Sequence, residues 1–241
     1  MTDISNFPNL SHSEFAEACH LLDSRYRRAT LGPLRKRWKL NVCTALDTSF
    51  SHENDGYTTY VQIIRPLEGD VDLPFDLGSF SLSDTSAEGL QGDAELMETE
   101  ESDKVWTVWY LNSHVLPTQN ARPDIGCVTY EIHLHPTYRV PCLWFTLHGL
   151  SESEPAFNID TVFRRLVPDG YKDALRGGIG SGSISADHHP VTGLPSFFIH
   201  PCLLADAMKP FPCSKRDYLI MWLGIVGGCV SLWVPKELVA E

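Results

Sequence analysis

The run Phe198-Ile199-His200-Pro201-Cys202 places a thiol two residues after an imidazole, with a proline between them. A thiolate is both a strong nucleophile and a good leaving group. An acyl group can therefore be taken up as a thioester and handed on without a large barrier. His200 would favour the thiolate, and Pro201 stiffens the intervening peptide. The competing reading is a small buried hydrophobe, the common state of a free cysteine. Other residues offer weaker chemistry. Gly177-Gly178-Ile179-Gly180-Ser181-Gly182 could be taken for a phosphate cradle, but no Lys-Ser/Thr follows it and no strand leads into it. It reads as a mobile loop. His133 and His135 lie two apart on an expected strand, hence on one face. With His148 or His188-His189 they could bind a metal, but no carboxylate or cysteine is evident at ligand spacing. No Gly-x-Ser-x-Gly elbow and no papain-type surround of the cysteine occurs. Neither a metal nor a cofactor is expected.

Bulk properties narrow the setting. The chain has 241 residues, 43% of them hydrophobic, enough for one domain with a proper core. Its net charge is -12, which argues against general nucleic-acid binding. The charge is concentrated. Residues 66–104 carry twelve Asp/Glu and one Lys, so the remainder is close to neutral. That stretch lacks periodicity and reads as a flexible acidic insertion into a single domain spanning residues 1–241. The seven cysteines are scattered, odd in number and form no C-x-x-C pair, so neither a disulfide framework nor a Cys-rich zinc site fits. A reducing, cytoplasmic setting is expected. The N-terminus shows no secretory pattern.

The elements that would position Cys202 are partly legible. Ser11 and Glu14 form a capping box before an apolar stripe of Phe15, Ala18, Cys19, Leu22 and Tyr26. A helix of about four turns follows, with Arg25, Arg27 and Arg28 at its end and Gly32-Pro33 stopping it. Trp38 to Ala45 and Tyr57 to Ile64 read as a hairpin, with turn residues 51–56 between them. Val105 to Leu111 reads as a strand, and Tyr130 to His135 with Val140 to Leu147 as a strand pair. Asn158 or Asp160 caps a second helix that Pro168 ends. Residues 176–185 read as a loop, followed by Pro195 to Cys202, a short turn or helix through Met208, and a third helix over Lys215 to Val226. Tyr218 to Val234 has no charge and reaches the lower length limit of a membrane span, about 17 residues. Gly227-Gly228 interrupts it, and a buried helix followed by a buried strand explains it as well. The fold class is α+β, an antiparallel sheet backed by helices.

Three segments together resemble the autophagy ubiquitin-like-conjugating enzymes: Tyr138-Arg139-Val140-Pro141-Cys142-Leu143-Trp144-Phe145, then His189-Pro190-Val191-Thr192-Gly193-Leu194-Pro195-Ser196-Phe197-Phe198, then His200-Pro201-Cys202. Trp222-Leu223-Gly224-Ile225-Val226-Gly227 and Asp55-Gly56-Tyr57 are similar to the branch that modifies a protein. The resemblance implies a ubiquitin-conjugating-enzyme-like core. It also implies that Cys202 accepts a modifier, autophagy-related protein twelve, from an activating enzyme, autophagy-related protein seven. A lysine of autophagy-related protein five would then receive it. No stable membrane insertion is implied. The lipid-directed sibling and a non-catalytic adaptor of the same fold are the alternatives, and the adaptors typically lack the nucleophile. Ordinary ubiquitin-conjugating enzymes place an asparagine shortly before the cysteine. Here the nearest preceding one is Asn158. His200, Tyr57, Tyr138 and His189 are the candidates for assisting lysine attack or holding the oxyanion.

Overall fold

The computed structural model describes residues 3–46, 56–67, 126–176 and 183–240. The expected strand at Val105 to Leu111, the Gly-rich run 177–182 and nearly all of the acidic stretch lie outside them. Pro66 and Leu67 do not belong to an insertion: Pro66 ends a strand, and Leu67 is buried.

Helix α1 (His12–Arg28) begins as the capping box requires. Glu14 N–H donates to Ser11 Oγ at 3.1 Å, and Ser11 N–H donates to the Glu14 carboxylate at 2.8 Å. After the single turn α2 (Leu34–Arg37), strands β1 (Lys39–Leu46), β2 (Tyr57–Pro66), β3 (Cys127–Leu134) and β4 (Pro141–His148) pair antiparallel in sequence order. Helix α3 (Ile159–Arg165) is capped by Asn158, whose side chain accepts from Asp160 N–H and Thr161 N–H. Pro168 ends that helical run and α4 (Asp169–Arg176) starts anew, a helix that the sequence pattern does not signal.

Strands β5 (Ile184–His188) and β6 (Pro195–Ile199) complete an antiparallel sheet of order β1-β2-β3-β4-β6-β5 among the described residues. Here the expectation of a loop through Ser185 fails. β5 is a half-exposed edge strand of mixed polar character, and its pairing to β6 supplies what its own pattern lacks. A one-turn 3₁₀ segment (Pro201–Leu203) leads into α5 (Leu204–Met208) and then α6 (Lys215–Val226).

Alternation along the strands sorts the two faces. Val61, Ile63, Tyr130, Ile132, Leu143, Phe145, Phe197 and Ile199 enter the core, together with Phe15 and Leu22 of α1 and Leu219, Trp222 and Leu223 of α6. Arg25, only 4% exposed, crosses from α1 to Asp217 of α6 at 2.6 Å. The expected C-terminal strand is absent. Gly227–Val230 forms a 3₁₀ turn, Ser231 takes a left-handed φ of 57°, and α7 (Lys236–Val239) follows. Tyr130 OH donates to Val230 O at 2.6 Å, Ser231 Oγ donates to Leu166 O at 2.7 Å, and Arg65 Nη1 donates to Ser231 O. Those bonds satisfy the backbone without a strand partner. Among the described residues, no helix is long and apolar enough to cross a membrane.

Candidate active site

Sheet register decides which residues meet. β6 runs antiparallel to β4, with Ile199 opposite Leu143, so His200 to Cys202 emerge beside the start of β4. The β3–β4 turn lies at that same end, and so does Tyr57 at the start of β2, four residues before the Val61–Ile132 pair. Sequence-distant candidates Cys202, His200, Tyr138 and Tyr57 thus share one end of the sheet. Tyr57 is 62% exposed there.

The Cys202 turn is held locally. His200 N–H donates to Ser183 O at 3.0 Å, tying it to β5. Cys202 N–H donates to His200 Nδ1 at 3.2 Å, so the imidazole caps the turn that carries the thiol. An Nδ1 lone pair spent on a backbone donor leaves the proton of neutral His200 on Nε2. Pro201 and Leu204 are buried and anchor the turn, while Cys202 itself is exposed. Tyr138 sets its ring edge-on to His200, with centroids 5.8 Å apart, and rests on His135 at 4.8 Å. His135 repeats the same device: its Nδ1 accepts from Thr137 N–H and Tyr138 N–H at 3.2 and 3.3 Å. Burial, and secondarily the neighbouring His200, lower its basicity. His135 was expected beside His133 on a strand, but it lies beyond the end of β3.

The other cysteines are unsuited to the chemistry. Cys19, Cys127, Cys142, Cys213 and Cys229 are buried and Cys43 is half-buried. Burial pushes all six thiols up: Cys213 to about 11, Cys127 and Cys229 to about 12, the other three in the same direction. A thiol held protonated is a poor nucleophile.

His189 is not at the exposed end. It is 6% exposed, with Nε2 2.9 Å from Glu131 Oε2 and Nδ1 accepting from Val191 N–H and Thr192 N–H, both at 3.3 Å. His133 Nε2 lies 3.0 Å from the same Oε2, and Gln62 Nε2 donates to Glu131 Oε1 at 2.9 Å. A carboxylate therefore does stand at ligand spacing, contrary to the sequence reading. Glu131 and His133 are two apart on β3, and that pattern was the available signal. The three donor atoms lie within 4.8 Å of one another. A cation would need the Nε2 lone pair of His189 and so a proton on Nδ1, where two backbone N–H groups already point. The donor set fits hydrogen bonding better than a metal. Burial raises the Glu131 carboxyl, but the two imidazoles outweigh it and hold it well below the usual carboxylate range.

With this geometry fixed, comparison with known proteins is decisive. The family described as "Autophagocytosis associated protein, active-site domain" matches residues 14–237. The "Ubiquitin-like-conjugating enzyme ATG10" of Gibberella zeae is 56% identical over 99% of both chains. The chain belongs to this family, in its ATG10 branch. The human ATG10 is 26% identical over 75% of this chain and 66% of its own, and that of Arabidopsis thaliana 28% identical over 45% and 52%. Family membership makes the chain a ubiquitin-like-conjugating enzyme, a transferase of autophagy, with a ubiquitin-like modifier and an acceptor as its general partners. The antiparallel sheet with helices accords with the conjugating-enzyme-like core expected from the resemblance.

Proposed function

We propose that Cys202 carries the modifier as a thioester and that this chain serves the autophagy-related protein twelve pathway in the cytoplasm. One observation carries the reading: of the seven cysteines Cys202 alone is exposed, and it sits on a capped turn at the sheet end where His200 and Tyr138 meet. The Cys202 thiolate attacks the thioester carbonyl on the activating enzyme, autophagy-related protein seven. The activating enzyme's cysteine leaves as its thiolate, and the modifier is now bonded to Cys202 Sγ. A deprotonated lysine of autophagy-related protein five then attacks that carbonyl. The C–S bond breaks, Cys202 leaves as thiolate, the amine loses its second proton to solvent, and an isopeptide bond remains. His200 and Tyr138 share the sheet end that carries Cys202 and are the candidate donors for the oxyanion of that carbonyl. Tyr57 shares that end of the sheet and suits contact with the incoming lysine.

The test traps the intermediate. The chain is mixed with the activating enzyme, the modifier and ATP, with Cys202→Ser alongside. A modifier-sized gel shift is expected that thiol reductant removes from the native protein and leaves on Cys202→Ser. No shift while the activating enzyme itself becomes charged would sink the reading and favour the adaptor.

A further inference from the structure

Three elements converge on one buried carboxylate away from the exposed turn. Gln62 comes from β2, His133 from β3 and His189 from the β5–β6 turn, each contacting Glu131 at 2.9, 3.0 and 2.9 Å respectively. Glu131 is 7% exposed and the two imidazoles 5% and 6%. The donors are an amide and two imidazoles: His189 accepts through Nδ1 from two backbone N–H groups and so donates through Nε2, and burial disfavours the charged form of His133. Charge at such a position is costlier than a well-packed apolar side chain, so packing alone does not account for it. What a carboxylate adds is direction, because one oxygen meets both imidazole Nε2 atoms and the other the Gln62 amide, through bonds stronger than a neutral acceptor would make.

That direction reaches the cysteine. Trp144 lies opposite Glu131 across β3–β4 and meets His189 edge-on, with centroids 5.5 Å apart. Trp144 stacks on Phe198 at 4.6 Å, and Phe198 leans on His200 at 6.1 Å. His200 caps the Cys202 turn. On the other flank Tyr60 stacks on His133 at 4.5 Å. We propose that Glu131, with His133 and His189, is the positioning hub of the Cys202 turn: it fixes His189, and through Trp144 and Phe198 the orientation of His200. None of the three touches the reacting atoms. The inference rests on Cys202 as the carrier. Its consequence is kinetic. A turn that wanders still exposes its thiol and still meets its partners, but it holds the thioester carbonyl out of line with the amine.

The experiment discharges the preformed thioester of the full chain to its acceptor, reading the rate constant at saturating acceptor and the half-saturating concentration separately. Glu131→Gln and His189→Leu are expected to slow the saturated rate about tenfold or more, leaving half-saturation unchanged. His189→Gln can still donate to Glu131 and accept from the turn, and should stay within about threefold of native. Leu22→Ala, a core change in α1, serves as the control for lost stability; it should lower the melting temperature without this loss of rate. A folded Glu131→Gln discharging at the native rate would overturn the hub. So would His189→Gln proving as slow as His189→Leu, or Leu22→Ala as slow as Glu131→Gln. Should Glu131→Gln not fold, the His189 pair decides alone. A native chain that takes no modifier, or takes it equally as Cys202→Ala, overturns the Cys202 reading and the hub with it. Normal native loading beside an equally fast Glu131→Gln overturns the hub only.

Discussion

At the scale of single residues, selectivity among seven cysteines comes from the burial of Cys202's competitors. A thiolate must form and be reached before it can react. Six thiols fail on the first count because desolvation disfavours their charged form, and five of these are buried as well. Limited alkylation of the native protein with iodoacetamide near pH 7.5, read by peptide mass spectrometry, should therefore label Cys202 first. Cys43, half-buried on an edge strand, should come next, and the other five only on unfolding. Equal labelling of Cys202 and Cys142 would contradict the placement of the turn. His200 illustrates a second residue-scale point. Its Nδ1 is spent on the Cys202 N–H, so in the neutral form it acts on the site as a donor through Nε2 rather than as a base through Nδ1.

Among elements, the C-terminal turn carries the sharpest constraint. Gly227 has an ordinary helical φ of -65°, so conformational freedom is not why glycine stands there. A Cβ at that position would run into the backbone oxygen of Leu232, which already accepts no slack because Leu232 N–H donates to Gly227 O at 2.8 Å. Gly227→Ala should cost on the order of 3 kcal/mol in urea unfolding. At Gly228 the obstacle is the Trp233 ring at 2.7 Å, a side chain 53% exposed and free to swing, so Gly228→Ala should cost about 1 kcal/mol or less. Equal losses would show that the turn is not pinned as described. The same turn marks where sequence reading runs out. α1 and α6 were legible because their signals are local: the Ser11–Glu14 box, and the apolar run between Ser214 and Gly227. The run after Gly227 has the pattern of a strand because periodicity cannot see Tyr130, Leu166 and Arg65 supplying its hydrogen bonds from afar. β5 is illegible for the converse reason, since its pattern is that of a polar loop and its order comes from pairing with β6. In the site, Cys202 and His200 lie two residues apart in sequence, whereas Glu131 and His189 meet only once the β5–β6 turn is folded.

For the molecule as a whole, two opposing effects set how stability follows pH. The net charge of -12 means that protonating carboxylates relieves repulsion on acidification. The buried His133 imidazole works the other way. His133 takes up a proton near its ordinary 6.5 when the chain is unfolded, but below that when folded, because burial disfavours its charged form. The unfolded state then binds more protons, so stability is level above pH 6.5 and falls as pH drops below it, by at most about 1.4 kcal/mol per pH unit for this one group. His135 shifts in the same direction, with a smaller share because solvent screens it. Glu14 adds a second phase. Burial raises its carboxyl, but the backbone donors of Ser5 and Ser11 outweigh that and bring it to about 2, so its contribution is present above about 4.5 and lost on the way down to 2. Glu131 shifts the same way. Repulsion between surface charges decays over about 8 Å at 0.15 M salt, whereas buried groups are hardly screened. At that salt the imidazoles should win: urea midpoints should be flat from pH 8 to 7 and decline from about 6.5 downward. His133→Gln keeps a donor for Glu131 and cannot take up a proton, so it should flatten the first decline while leaving the second. A midpoint that rises between pH 7 and 5.5 would mean that charge repulsion governs the fold and that the buried hub does not resist protonation.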